Sequence, residues 1–176
     1  MKIATWNVNG IRARQAQFSE WLARERPGIV CLQELKAEPA QIPEACKAAD
    51  YHTFWHGMRA YSGVSLHIRK DLFPEEPFFS HPAFDMESRI VQAELGKLVL
   101  ASVYVPNGNK DYPAKIEFFQ RLIAWAKRIR GEGRELVLCG DMNITRTEMD
   151  VHPKERKPAL VGQRPAGREL FGESLK

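Results

Sequence analysis

The sequence predicts an α/β fold in which sheets lie inside and helices outside. Two observations carry that expectation. Apolar runs of strand length alternate with helix-period stretches at both ends of the chain, and the middle reads as hairpins; this mixture fits a sandwich better than a purely parallel sheet. At 176 residues, 44% hydrophobic and 27% charged, the chain is also long enough for a single domain with a real core.

Residues 2–6 read as the first strand and 7–10 as a turn. Residues 11–26 read as a helix burying Phe18, Trp21 and Leu22 at helical spacing, stopped by Pro27 and Gly28. Residues 29–33 form a second strand, with Glu34 at its exit, and a short helix is expected over 42–49. Residues 51–56 and 64–69 read as strands joined by a turn over 57–63, and the proline-rich stretch 73–84 as a surface loop.

Residues 89–95 and 97–104, hinged on Gly96, read as an antiparallel hairpin. The strongest helix pattern comes next: Pro113 suits its first turn, and Ile116, Phe119, Leu122, Ile123, Ala126 and Ile129 form one stripe. Gly131 and Gly133 end it. Residues 136–139 then form an apolar strand without a polar break, which expects neighbours on both faces and both edges. Beyond Arg146 only residues 168–175 read as helical.

The net charge of +4 and a pI near 9.0 lean toward an anionic partner, with nucleic acid the obvious candidate. Cys31, Cys46 and Cys139 form no C-x-x-C pair, which suits a reducing compartment. No basic-then-apolar leader opens the chain, and its longest clean apolar run, 98–105, is far too short to span a bilayer. A soluble cytoplasmic protein without a membrane partner is expected.

The strand at 136–139 leads through Gly140 to Asp141 and Asn143. In extended backbone, spacing two points both side chains the same way. A carboxylate there can orient or deprotonate a water, while an amide donates to developing charge. A polar turn explains the pair equally well when it is taken alone. The design recurs, however. Residues 3–6 run into Asn7 and Asn9, 29–32 into Gln33 and Glu34, and 98–105 into Asn107. Four apolar runs ending in amides or carboxylates argue for a site at the strand ends.

These residues resemble the exonuclease III and abasic-site endonuclease family of the endonuclease/exonuclease/phosphatase superfamily. The likeness lies in Trp6-Asn7-Val8-Asn9-Gly10-Ile11-Arg12, Leu32-Gln33-Glu34-Leu35-Lys36 and Tyr61-Ser62-Gly63-Val64. It continues in Glu87-Ser88-Arg89, Tyr104-Val105-Pro106-Asn107 and Gly140-Asp141-Met142-Asn143, six matches in order. The resemblance implies a two-sheet β-sandwich flanked by helices, layered α/β/β/α. It also implies a Mg²⁺-dependent DNA phosphodiesterase, with Mn²⁺ as an alternative ion, acting on double-stranded DNA at abasic sites or 3′ ends. Glu34 resembles the principal metal carboxylate, with Asn7, Asp141 and Asn143 around the ion. Asp141 resembles the residue that activates water or donates a proton, Asn143 the transition-state donor, and Tyr104 the tyrosine that meets the phosphate. Lys36, Tyr61, Arg89 and Asn107 match positions that contact DNA or support the site.

Two departures matter. The family's final Ser-Asp-His run has no counterpart: His52, His56, His67, His81 and His152 do not follow a Ser-Asp. The family's second acidic position beyond the central strand is missing as well. The chain is therefore expected to be incomplete at its C-terminus, leaving strand 136–139 open to self-association or to a partner that completes the second sheet. An inactive DNA-binding or scaffold module of the same fold is the alternative expectation, and a lipid or inositol phosphatase a sibling one. His67 is expected on an outer strand face.

Overall fold

Crossovers at the ends of the chain and hairpins in its middle build two mixed four-stranded sheets, seen in a computed structural model that describes residues 1–174. The chain forms two units. The first comprises Met1–Tyr104 and Gly133–Asp141, and the second the remaining described residues.

In the first unit, β1 (Ile3–Asn7), β2 (Ile29–Gln33), β3 (Tyr51–Met58) and β4 (Tyr61–Arg69) make one sheet, ordered β1-β2-β4-β3. The other sheet contains β5 (Phe78–Ser80), β6 (Ile90–Leu95), β7 (Leu98–Tyr104) and β8 (Glu135–Asp141), in chain order. Helix α1 (Ile11–Glu25) covers the outer face of the first sheet. Side chains alternate across β2, so Val30 and Leu32 reach Phe18 and Leu22 of α1. Ile29 and Cys31 point the other way, joining Leu66 and Ile68 against Val91, Ala93 and Leu100 of the second sheet. This two-sided burial explains why β2 is apolar without a break.

Two parallel pairings position the polar strand ends. In β1 and β2, Asn7 lies beside Gln33; in β7 and β8, Tyr104 lies beside Asp141. Parallel partners end together, so each pair delivers two polar ends to one place. Gly140 permits the second delivery, because a Cβ there would collide with the Val103 carbonyl of β7. Gly140→Ala is expected to cost about 1–3 kcal/mol, as overpacking does. A urea midpoint equal to that of the parent would refute this.

Several elements differ from expectation. Residues 42–49 form no α-helix; the segment instead makes two short 3-10 turns, Pro39–Gln41 and Glu44–Cys46, and buries only Ile42 and Cys46 among its apolar residues. Its proline starts, Pro39 and Pro43, and its small apolar face favour isolated turns over a helix. The loop 73–84 contains the strand β5, paired with Gln92 to Glu94 of β6. Strands β3 and β4 run closer to one another than expected, with Arg59 and Ala60 alone between them. Strand β8 is half-buried: among the described residues it pairs with β7 only and ends its sheet. His67 is on the outer face of its sheet, as its alternation with Leu66 and Ile68 implies, but that face is covered: the ring is fully buried beneath α1, against Phe18 and Trp55.

The second unit is built on α2 (Tyr112–Gly131), capped by Asp111, whose carboxylate accepts the Ala114 N–H at 2.9 Å. Helix α3 (Pro165–Ser174) packs on it through Phe119 and Phe171, and Lys127 pairs with Glu173 at 2.6 Å. The expected helix 168–175 thus begins three residues earlier, and Leu175 lies outside the described residues. Lys115 of α2 is fully buried; its Nζ donates to the carbonyls of Asn107, at 3.1 Å, and Asn143.

Candidate active site

Two strand ends from each sheet converge in the first unit. Asn7 closes β1, Glu34 follows β2, Tyr104 closes β7 and Asp141 closes β8. The Asn7 amide nitrogen donates to both carboxylates, at 2.9 Å to Glu34 Oε1 and 2.8 Å to Asp141 Oδ2. The Tyr104 hydroxyl donates to the same Glu34 oxygen at 3.0 Å, and Lys36 Nζ lies 2.9 Å from Glu34 Oε2. Asn7 Oδ1 is turned away and accepts the Asn9 N–H at 3.1 Å. Lys36 also reaches Asn9 Oδ1 at 2.5 Å.

The loops carrying these groups are stitched to one another. Gly10 N donates to the Glu34 carbonyl and Ile11 N to that of Leu35, while Leu35 N and Lys36 N donate to Gly63 and Ser62. Asn9, Glu34, Lys36 and Ser62 all adopt left-handed backbone, with φ of 45°, 55°, 51° and 48°. Each costs about 1–2 kcal/mol for a residue with a Cβ, and such strain gathers at functional sites when surrounding contacts over-determine it. Beneath the carboxylates, buried Gln33 ties the sheets together. It donates to Ser102 Oγ at 3.1 Å, and Ser102 donates to the Leu32 carbonyl at 3.1 Å.

Electrostatics define what each group can do. Burial pushes the Glu34 carboxyl upward, but hydrogen bonds from Asn7, Lys36 and Tyr104 outweigh it and hold the group below the ordinary range. Glu34 is therefore a carboxylate across the neutral range. Burial, followed by the Glu34 charge and hydrogen bond, pushes Tyr104 up to about 12 against the opposing pull of Arg89. Tyr104 stays protonated and acts as a hydrogen-bond donor.

Arg89 is only 2% exposed. Its guanidinium binds Glu87 Oε2 through Nε at 2.9 Å and Nη2 at 2.8 Å, and Nη2 also donates to the Tyr61 hydroxyl at 2.8 Å. It stacks over the Tyr104 ring, 4.8 Å from the centroid. Tyr61 itself is half exposed, and 38% of the Lys36 side chain is exposed.

Asn143 and Asn107 belong to the second unit. Asn143 Nδ2 donates to the Val105 carbonyl at 2.9 Å, and Asn107 Nδ2 donates to Asn143 Oδ1 at 3.3 Å. Sequence reasoning missed Gln33, Ser102 and Asn9 as supports of the site, and Lys115 beneath the two asparagines. Asn9 lies within the Trp6 to Arg12 motif, which could have singled it out. Lys115, on the buried stripe of α2, carried no signal, since a lysine at such a position reads as exposed.

The donor set fits a hard divalent cation. Glu34 and Asp141 offer carboxylate oxygens within reach of one amide, and Asn7 would add its oxygen if the amide turned over. Two half-buried carboxylates sharing one amide, with Lys36 as the offsetting charge, are a donor set that can serve phosphate chemistry through a divalent ion.

The comparisons agree. Residues 4–169 match the model of the Endonuclease/Exonuclease/phosphatase family, and the chain belongs to that family. It is 27% identical to an exodeoxyribonuclease of Bacillus subtilis, over 100% of this chain and 71% of that protein. The structure of an AP endonuclease from Archaeoglobus fulgidus superposes with a TM-score of 0.86 at 29% identity, covering 99% of this chain and 70% of that one. The 3′ phosphatase NExo from Neisseria, solved with a product DNA hairpin, gives a TM-score of 0.80 at 31% identity, with 99% and 70% covered. The chain spans 59–71% of the length of three curated relatives that it matches. The α/β sandwich and the nuclease kinship expected from the motifs are both found. No helix among the described residues is long and apolar enough to cross a membrane.

Proposed function

We propose that the chain is a divalent-metal-dependent DNA phosphodiesterase of the exonuclease III type, which cleaves beside abasic sites and removes nucleotides or blocking groups from 3′ ends. The observation that carries this reading is the Asn7 amide held between the carboxylates of Glu34 and Asp141, with the Tyr104 hydroxyl on Glu34. Mg²⁺, or Mn²⁺ in its place, would be held by Glu34 and Asp141 with Asn7 beside them; Asn143 joins that set by resemblance alone. When bound, the ion neutralises charge on the scissile phosphate and its departing oxygen.

The chain's own groups account for the remaining chemistry. Asp141 takes the proton of the attacking water, or returns one to the leaving oxygen. Tyr104, protonated far above neutral pH, donates to a phosphate oxygen, and Asn143 is, by resemblance alone, the donor to charge developing in the transition state. Lys36 and Tyr61 are exposed enough to meet the DNA backbone, and Asn107 shares that part. Arg89 is buried and engaged with Glu87, Tyr61 and Tyr104, so its part is to hold the two tyrosines in place. The excess of positive charge favours the polyanion, and binding should weaken as salt rises.

The test is a duplex carrying one abasic site, incubated with Mg²⁺ or Mn²⁺ beside a 3′-phosphate duplex and a panel of small phosphoesters that includes inositol phosphates. Metal-dependent nicking of DNA with little action on the small esters supports the reading. Salt-sensitive DNA binding without cleavage at any metal concentration would replace it with the scaffold alternative.

A further inference from the structure

Away from the Glu34 cluster, the edges of the two sheets bring together two histidines and an aspartate that the proposed phosphodiester chemistry does not use. His56 lies on β3, the edge strand of its sheet; His81 follows β5, the edge strand of the other; Asp85 lies in the loop leading to β6. His56 Nε2 is 2.6 Å from Asp85 Oδ2. The His56 and His81 rings stack with centroids 4.6 Å apart and planes within 10°. One ligand atom from each residue lies within 4.8 Å of the other two.

We propose that His56, His81 and Asp85 form a binding site for a divalent transition-metal ion of the zinc class, separate from the candidate active site. Two imidazoles and a carboxylate suit zinc, cobalt or nickel; magnesium prefers oxygen alone. Three protein ligands leave a fourth position for water, and exposed His81 supplies the open side. Bonds of about 2.0–2.2 Å around a tetrahedral ion set ligands roughly 3.4 Å apart: the His56 and Asp85 atoms, now 2.6 Å apart, would open to that spacing, and no pair of the three starts beyond 4.8 Å. His81, exposed and at the end of an edge strand, is the ligand with room to adjust.

Asp85 is already prepared for this part. Its Oδ1 accepts the N–H groups of Arg89, at 2.8 Å, and Ile90, at 3.0 Å, which fixes the carboxylate and leaves Oδ2 for the ion. The ion takes the place of the proton between His56 Nε2 and Asp85 Oδ2, and that proton passes to solvent. The same carboxylate anchors Arg89 and Ile90, where β6 begins. Metal at this site would therefore clamp two sheet edges beside the arginine that holds Tyr61 and Tyr104.

Cobalt provides the probe. With Mg²⁺ in large excess, Co²⁺ is titrated into the parent protein, into Glu34→Gln and into His81→Ala, and visible d–d absorption is recorded. The parent and Glu34→Gln should each bind one equivalent with bands of tetrahedral intensity. His81→Ala, a change at an exposed side chain, should weaken that binding by more than about 10-fold, the least that disturbing even an outer partner costs. His56→Asn should do the same, with its circular dichroism recorded to show that it is folded. Equal Co²⁺ binding in the parent and His81→Ala, no binding in the parent, or loss in Glu34→Gln alone would overturn the proposal.

Discussion

Asp141→Ala should slow Mg²⁺-dependent nicking of an abasic duplex by about 10²–10⁴-fold, the range that general acid–base groups supply. Asp141 ends β8 directly beside Tyr104 of β7, and its Oδ2 shares the Asn7 amide with Glu34. Its removal leaves that amide with one carboxylate and takes away the base that the proposed mechanism assigns to the attacking water. Glu34→Ala should be at least as damaging, because Glu34 gathers Asn7, Lys36 and Tyr104 around a single carboxylate. Glu34→Gln refines the test: it keeps the shape and removes the charge, so its loss should be partly recovered at high Mg²⁺ or Mn²⁺. Single-turnover rates, with circular dichroism to confirm folding, give the comparison. Undiminished cleavage in both alanine variants would reject the assigned roles and leave the shared amide as a structural contact.

The second large effect is a loss of stability in acid that traces to His67. This side chain is fully buried, its Nε2 paired with Ser65 Oγ at 2.9 Å and its Nδ1 without a hydrogen-bond partner. Burial lowers its pKa from 6.5 to about 3. Above pH 6.5 the ring is neutral in folded and unfolded chains alike, and it adds no pH dependence. Below pH 6.5 the unfolded chain takes up a proton that the folded chain refuses, so stability falls with pH until about pH 3. Between pH 6.5 and 4 this single group should cost roughly 3 kcal/mol, at 1.36 kcal/mol per pH unit. Urea midpoints across that interval are the measurement, with His67→Phe as the comparator because a phenyl ring suits a pocket lined by Phe18 and Trp55. If the two proteins lose stability in parallel as pH falls, the carboxylates rather than His67 govern the acid limit.

Much of the architecture is legible in the order of residues. Helices α1 and α2 stand out because fifteen and twenty residues of helical period leave little doubt about period. The hairpin of β6 and β7 is legible from Gly96 between two strand-length runs. The segment 42–49 misleads because a small apolar face without packing support does not hold an α-helix together. Strand β5 is hidden in a proline-rich stretch, because three residues become a strand only when β6 offers an edge. His67 misleads for a related reason: alternation with Leu66 and Ile68 marks two faces, but β4 is covered on both. One face meets the second sheet through Leu66 and Ile68, and the other meets α1 through His67.

The candidate site divides along the same line. Asn7, Glu34, Tyr104, Asp141 and Asn143 are visible in the sequence because polar residues at the ends of apolar runs stand out in one dimension. The association of Asn7, Glu34, Tyr104 and Asp141 is not visible there: Asn7 and Asp141 are separated by most of the chain. The sequence by itself determined the alternating elements, the family and the chemical types at each strand end, all of which depend on local order. Only the tertiary structure decided that Arg89 is buried under two tyrosines, that Tyr104 shares an oxygen with Asn7, and that His56, His81 and Asp85 meet at the sheet edges. Those are contacts between distant segments, set by sheet register and packing, and local order carries no record of them.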